Sequence, residues 1–159
     1  MDKYNLQKIV KNLVDEAIVK EIMSLDLAVR LIEKVEEKAK EMDMRVVIAV
    51  SDASGRPVAV HCMDHAYHGS FDVALNKTYT STAFQMSTKE LSRLCQPGQD
   101  LYGLQFSNEG RVMILGGGEP LMVGNTMIGA LGVSGGTAAQ DTELAAYGRA
   151  MLKEVIACL

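Results

Sequence analysis

Val46 to Met63 reads Val-Val-Ile-Ala-Val-Ser-Asp-Ala-Ser-Gly-Arg-Pro-Val-Ala-Val-His-Cys-Met. The run Val46–Ser51 is dominated by β-branched residues, Asp52-Ala53-Ser54-Gly55 supplies turn conformations, and Pro57–Met63 is a second strand-like run. This pattern predicts a β-hairpin, because aspartate and glycine satisfy the turn while branched side chains favour pleated backbone. The first strand is apolar on both faces. A half-exposed strand would alternate, so each face requires cover from helices or from another subunit.

Working towards the amino terminus, Ala28, Leu31, Ile32, Val35, Ala39 and Met42 recur at helical spacing behind Ser24, a suitable N-cap. Leu6, Ile9, Val10, Leu13 and Ala17 predict an earlier helix. Towards the carboxyl terminus, Ser70 can cap a helix from about Phe71 to Met86, and Ser87-Thr88-Lys89-Glu90 reads as a capping box. After a loop broken at Gln96-Pro97-Gly98, three short strands are expected at Arg111–Leu115, Leu121–Val123 and Met127–Val133. Gly116–Pro120 and Gly124–Thr126 would be the turns between them. Thr137-Ala138-Ala139-Gln140 opens a last helix with the stripe Leu144, Gly148, Met151, Val155 and Cys158. The expected fold is α+β. It has a five-stranded, mainly antiparallel sheet flanked by helices, in the order α-α-β-β-α-α-β-β-β-α, as one domain over residues 1–159.

Composition narrows the partners. The 159 residues carry a formal net charge of −4, no tryptophan and few other aromatics. Without a basic block or stacking platforms, nucleic acid and anionic membrane surfaces are poor partners. No segment has the length or apolarity of a signal core or a membrane span. Three cysteines, Cys62, Cys95 and Cys158, lie far apart with no CxxC pair, which fits reduced thiols and a cytoplasmic location.

Four segments in order resemble the GlcG/HbpS/PduO C-terminal-domain family. They are the Val50–Ala59 hairpin, Met63-Asp64-His65-Ala66, the Ala74–Phe84 helix containing Lys77, and Gly116–Pro120 followed by Ile128–Gly136 and Gln140-Asp141. The resemblance covers roughly residues 25–157. The resemblance implies a helix-flanked sheet and self-association, from dimers to octamers. It also implies a theme of haem, tetrapyrrole or corrinoid binding in glycolate, diol or glycerol metabolism. The chain departs from the family where Cys62 replaces a common arginine and His65 a common glycine.

The residues able to carry chemistry concentrate in one segment. All three histidines, His61, His65 and His68, lie there with Cys62, Met63 and Tyr67. Imidazole, thiolate and phenolate ligate haem iron, and imidazole also binds zinc or copper, so these three histidines are the candidate metal or haem-iron ligands. On a strand His61 and Met63 point one way and Cys62 the other, so spacing alone does not build one site. Partly exposed histidines at a strand end are the alternative. Lys77 either meets a ligand carboxylate or pairs with Asp64, Asp72 or Asp141. The run Gly132–Thr137, with Gly135 leading towards Asp141, passes from strand to helix and could hold an anion; Thr137 and Gln140 could equally satisfy those donors. Gly116–Gly118 lacks the following lysine of a phosphate loop, and no catalytic triad is apparent. Three readings follow: a haem or tetrapyrrole binder, a binder or enzyme of a small hydroxy acid or phosphate, and an oligomeric scaffold.

Overall fold

The computed structural model describes residues 5–6 and 22–159. Its elements are α1 (Leu25–Glu41), β1 (Val47–Asp52), β2 (Pro57–Cys62), α2 (Ser70–Phe84), α3 (Thr88–Leu94), β3 (Gly118–Val123), β4 (Thr126–Ser134) and α4 (Ala138–Ala157). Two short 3-10 turns, Leu104–Phe106 and Asn108–Gly110, lie in the long loop. The helix expected around Ile9–Ala17 falls outside the described residues.

The hairpin forms as the sequence requires. Asp52 Oδ1 accepts hydrogen bonds from the Ser54 backbone N–H, the Ser54 hydroxyl and the Arg56 N–H, closing the turn. Gly55 takes a φ of +78°, which costs glycine little. The sheet order is β2-β1-β4-β3, with every neighbour antiparallel. β1 is central and almost wholly buried. Its Ile48 and Val50 join Leu31, Val35, Leu131, Val133 and Leu144 in the main core under α1 and α4. Val47 and Ala49 face Ala74 of α2 on the other side. Helices of the same chain therefore cover both faces of β1, and no second subunit is needed for that purpose.

The expected fifth strand is absent, so the sheet has four strands. Arg111–Leu115 forms no ladder, with Arg111 in a turn and Leu115 in a bend. Its apolar residues pack sideways, Val112 and Ile114 entering a small cluster with Leu91 and Cys95. Its backbone is satisfied by a helix instead of a strand, with the Met113 N–H donating to Thr80 Oγ1 at 2.8 Å. Arg111 stacks over the Tyr79 ring. The third expected turn is also partly strand, since β3 already begins at Gly118 and pairs with Gly132. Among the described residues the order is thus α-β-β-α-α-β-β-α.

The helix ends follow their caps where a side chain supplies one. Ser24 accepts from the Leu27 N–H, Ser87 from the Glu90 N–H, and Thr137 with Gln140 forms a complete capping box. α2 differs, for Ser70 lies inside the helix and Gly69 stands at the cap without a side-chain bond. Cys158, expected on the core stripe, is exposed just past the end of α4.

α2 lies unusually close to the sheet. A Cβ on Gly132 would collide with the Ala74 carbonyl oxygen, and one on its cross-strand partner Gly118 would stand 2.8 Å from the Lys77 carbonyl oxygen. Backbone cannot yield as a side-chain tip can. Gly132→Ala should lower stability in urea unfolding by about 1–3 kcal/mol or more, whereas Gly69→Ala, with nothing within 4 Å of its Cβ position, should stay within about 0.5 kcal/mol. Equal stability of the two variants would contradict this packing.

Candidate functional site

Strand alternation divides the histidine-rich segment between two faces. His61 is turned towards α1, where its Nδ1 lies 2.8 Å from Glu36 Oε1. Met63 follows it to that side, lining a polar cleft with Glu36, Lys40, Asp43, Arg45 and Asp64. Cys62 points the other way. With Val47, Ala66, Tyr67, His68, Phe71 and Asp72 it lines a cleft of about 460 Å3 between the end of β2 and the start of α2. The loop carrying these residues is folded on itself, the Ala66 N–H donating to Met63 O, Ser70 N–H to Tyr67 O and Phe71 N–H to His68 O.

His65 lines neither cleft. It occupies the turn at φ +66°, a left-handed conformation that favours glycine, the residue that the resemblance implies at this position. His61, His65 and His68 are consequently not brought to one point. Among the described residues no group of three or more His, Cys, Asp or Glu side chains is arranged to hold a metal ion. A single side chain suffices as the axial ligand of a haem, however, and Cys62, Tyr67 and His68 all line the apolar cleft. Tyr67 and Phe71 are exposed aromatics beside it.

Lys77 and Asp141 form a separate, closed pair, and Gly135 lies beside Arg45 and Val46 in the connection that leads to α4. Lys77 is 1% exposed and Asp141 3% exposed. The lysine Nζ donates to Asp141 Oδ2 at 2.8 Å and to the Val133 carbonyl oxygen at 2.6 Å, and Asp141 Oδ1 accepts from the Gly136 N–H. Burial pushes the Lys77 amine below its ordinary pKa, and the charge and hydrogen bond of Asp141 oppose that shift. Gly117 seals the cluster, since a Cβ there would sit 2.8 Å from Lys77 Nζ. Gly135 is pressed against Arg45, whose carbonyl oxygen a Cβ would strike. Of the three carboxylates considered for Lys77, Asp141 is the one that it meets. Three N–H donors at the entry to α4 are likewise used internally, Gly136 donating to Asp141 Oδ1, Thr137 to Gln140 Oε1 and Gln140 to Thr137 Oγ1.

Sequence reasoning passed over Val47, Ala66, Phe71 and Asp72 as cleft residues. Only Phe71 left a signal, an aromatic placed at a helix start next to a polar loop.

Residues 23–150 match the family described as haem degrading protein HbpS-like. The chain belongs to the HbpS-like family. Its fold is similar to the crystal structure of Klebsiella pneumoniae protein ORFY, with a TM-score of 0.80, 38% identity, and coverage of 86% of this chain and 92% of that one. It is also similar to a crystallised PduOC:heme complex, with a TM-score of 0.78, 34% identity, and coverage of 81% and 94%. Among curated proteins, the corrinoid adenosyltransferase PduO of Salmonella typhimurium is 38% identical over 109 residues, which are 69% of this chain. The HbpS-like chain matches only 32% of that PduO, about a third of its length. No described helix is long and apolar enough to cross a membrane.

The buried pair yields a stability prediction. Lys77→Met leaves the Asp141 carboxylate buried without its partner and should cost about 3–5 kcal/mol in denaturant unfolding. The double variant Lys77→Met/Asp141→Leu should cost clearly less than the sum of the two single changes. Additive losses would show that the two side chains do not act as a pair.

Proposed function

We propose that this HbpS-like chain is a small-ligand-binding accessory protein that takes haem or a related tetrapyrrole or corrinoid in the cleft between Cys62 and Asp72. The observation that carries this reading is the composition of that cleft, where Cys62, Tyr67 and His68 border the apolar surface of Val47, Ala66 and Phe71. A flat macrocycle with a ligatable metal needs both features, an apolar wall for its rings and one donor for its metal. A volume of about 460 Å3 lies within the range of small-molecule sites. The crystallised PduOC:heme complex, 34% identical to this chain, supports the same ligand class. Likeness to the corrinoid adenosyltransferase PduO supports a link to corrinoid chemistry, and a setting in diol, glycerol or glycolate metabolism belongs to the same proposal.

In this proposal Cys62, Tyr67 or His68 would hold the metal, and Phe71 and Val47 would supply apolar contact to the rings. The bound group would contribute a ligatable, redox-active metal. Oligomerisation from dimer to octamer and residence in the cytoplasm belong to the same proposal.

A small hydroxy acid or phosphate at Lys77, Gly135 and Asp141 is less well supported, because those polar groups already satisfy one another inside the fold. The scaffold reading loses its motive, since helices of this chain cover both faces of β1.

Titration of the purified chain with haem, followed by absorption, tests the proposal. A saturable Soret band is expected. It should be lost or shifted in Cys62→Ser/Tyr67→Phe/His68→Ala and kept in His61→Ala/His65→Ala. No band at all, or the opposite pattern between the two variants, would overturn the assignment.

A further inference from the structure

Away from the proposed haem cleft and the Lys77 cluster, β3 is one of the two edge strands of the sheet among the described residues. Between it and α4 runs a second cleft, of about 490 Å3, lined by Pro120, Met122, Arg149, Ala150, Leu152 and Lys153. Two cations therefore stand over a mainly apolar floor. Arg149 and Lys153 are four residues apart in α4, which puts them on the same side of that helix.

The two cations are held differently. Arg149 Nη1 donates to Glu119 Oε2 at 2.9 Å, and Glu119 is only 6% exposed, so a buried carboxylate fixes the guanidinium at the cleft wall. Burial lifts the Glu119 carboxyl above its ordinary pKa, while Arg149 opposes that shift. Lys153 is exposed and makes no ion pair among the described residues. Lys89 and Glu90 also act on Glu119, with opposite signs. Arg149 and Lys153 against Glu119 leave one net positive charge at the cleft. A carboxylate would balance that charge, whereas a phosphate dianion would be left under-compensated. Pro120, Met122 and Leu152 offer the adjoining surface for a hydrocarbon tail.

We infer that the cleft between β3 and α4 binds a small organic monocarboxylate with an apolar tail. Lys153 and the free edge of the Arg149 guanidinium hold the carboxylate, and the Pro120–Met122 edge strand and Leu152 receive the tail. The site is independent of the haem cleft, with which it shares no lining residue.

Thermal unfolding of the full chain in sodium acetate, butyrate and hexanoate, with n-butylamine and inorganic phosphate at matched ionic strength, tests the inference. Butyrate and hexanoate should raise the Tm saturably and more than acetate, while butylamine and phosphate should not. Lys153→Gln and Met122→Glu change exposed side chains and should fold normally by circular dichroism. Each should raise the half-saturating butyrate concentration by about tenfold, the scale of one lost charge-assisted contact. The inference is overturned if no carboxylate stabilises the chain, if phosphate does so as well as butyrate, or if both variants respond to butyrate as the parent does.

Discussion

An ammonium group with almost no exposure has to be paired where it lies, and the position of Lys77 is therefore the constraint on which much else depends. Moving an ion of this kind out of water costs several kcal/mol even after relaxation. The cost is offset here by Asp141 and by the Val133 carbonyl, so one side chain of α2 ties down the end of β4 and the first turn of α4. Asp141 extends the tie by accepting from the Gly136 N–H. The helix can come so near only because Gly132 and Gly118 present no side chains towards it. Lysine, aspartate and glycines thus form a single packing solution, in which replacing any member leaves either an unpaired charge or a collision.

That solution positions the candidate ligand site at a distance along the same helix. α2 begins at Ser70, and its first turn carries Phe71 and Asp72 to the cleft. The loop before it returns from the end of β2, so Cys62, Tyr67 and His68 are gathered opposite that turn. A rigidly seated helix on one side and a self-bonded loop on the other leave an apolar gap rimmed by iron-capable donors. The second cleft, at the β3 edge, depends on different contacts and answers to a different chemistry, a fixed guanidinium and a free ammonium.

Much of the architecture was legible in the residues. The Val46–Met63 hairpin, the caps at Ser24, Ser87 and Thr137, and the burial of β1 on both faces all follow from local patterns. Arg111–Leu115 misled because Val112 and Ile114 alternate as a strand would, while the partner that takes up the Met113 N–H is a threonine of α2, thirty-three positions away in sequence. The histidine cluster was visible as composition, but its division was not, because a strand end followed by a left-handed turn at His65 sends neighbours to different faces. Lys77 could be recognised as needing an anion. Which anion depended on how β4 and α4 come together, and Glu119 with Arg149 was hidden for the same reason.

The tetrapyrrole proposed for this chain rests on the lining of one cleft and on likeness to a crystallised PduOC:heme complex, so the central claim is one of location. A crystal structure of the chain loaded with haem tests it most directly. The account predicts electron density for the macrocycle against Val47 and Phe71, with the iron bonded to Cys62, Tyr67 or His68. Iron bonded to His61 or His65, or a macrocycle seated elsewhere on the chain, would contradict it.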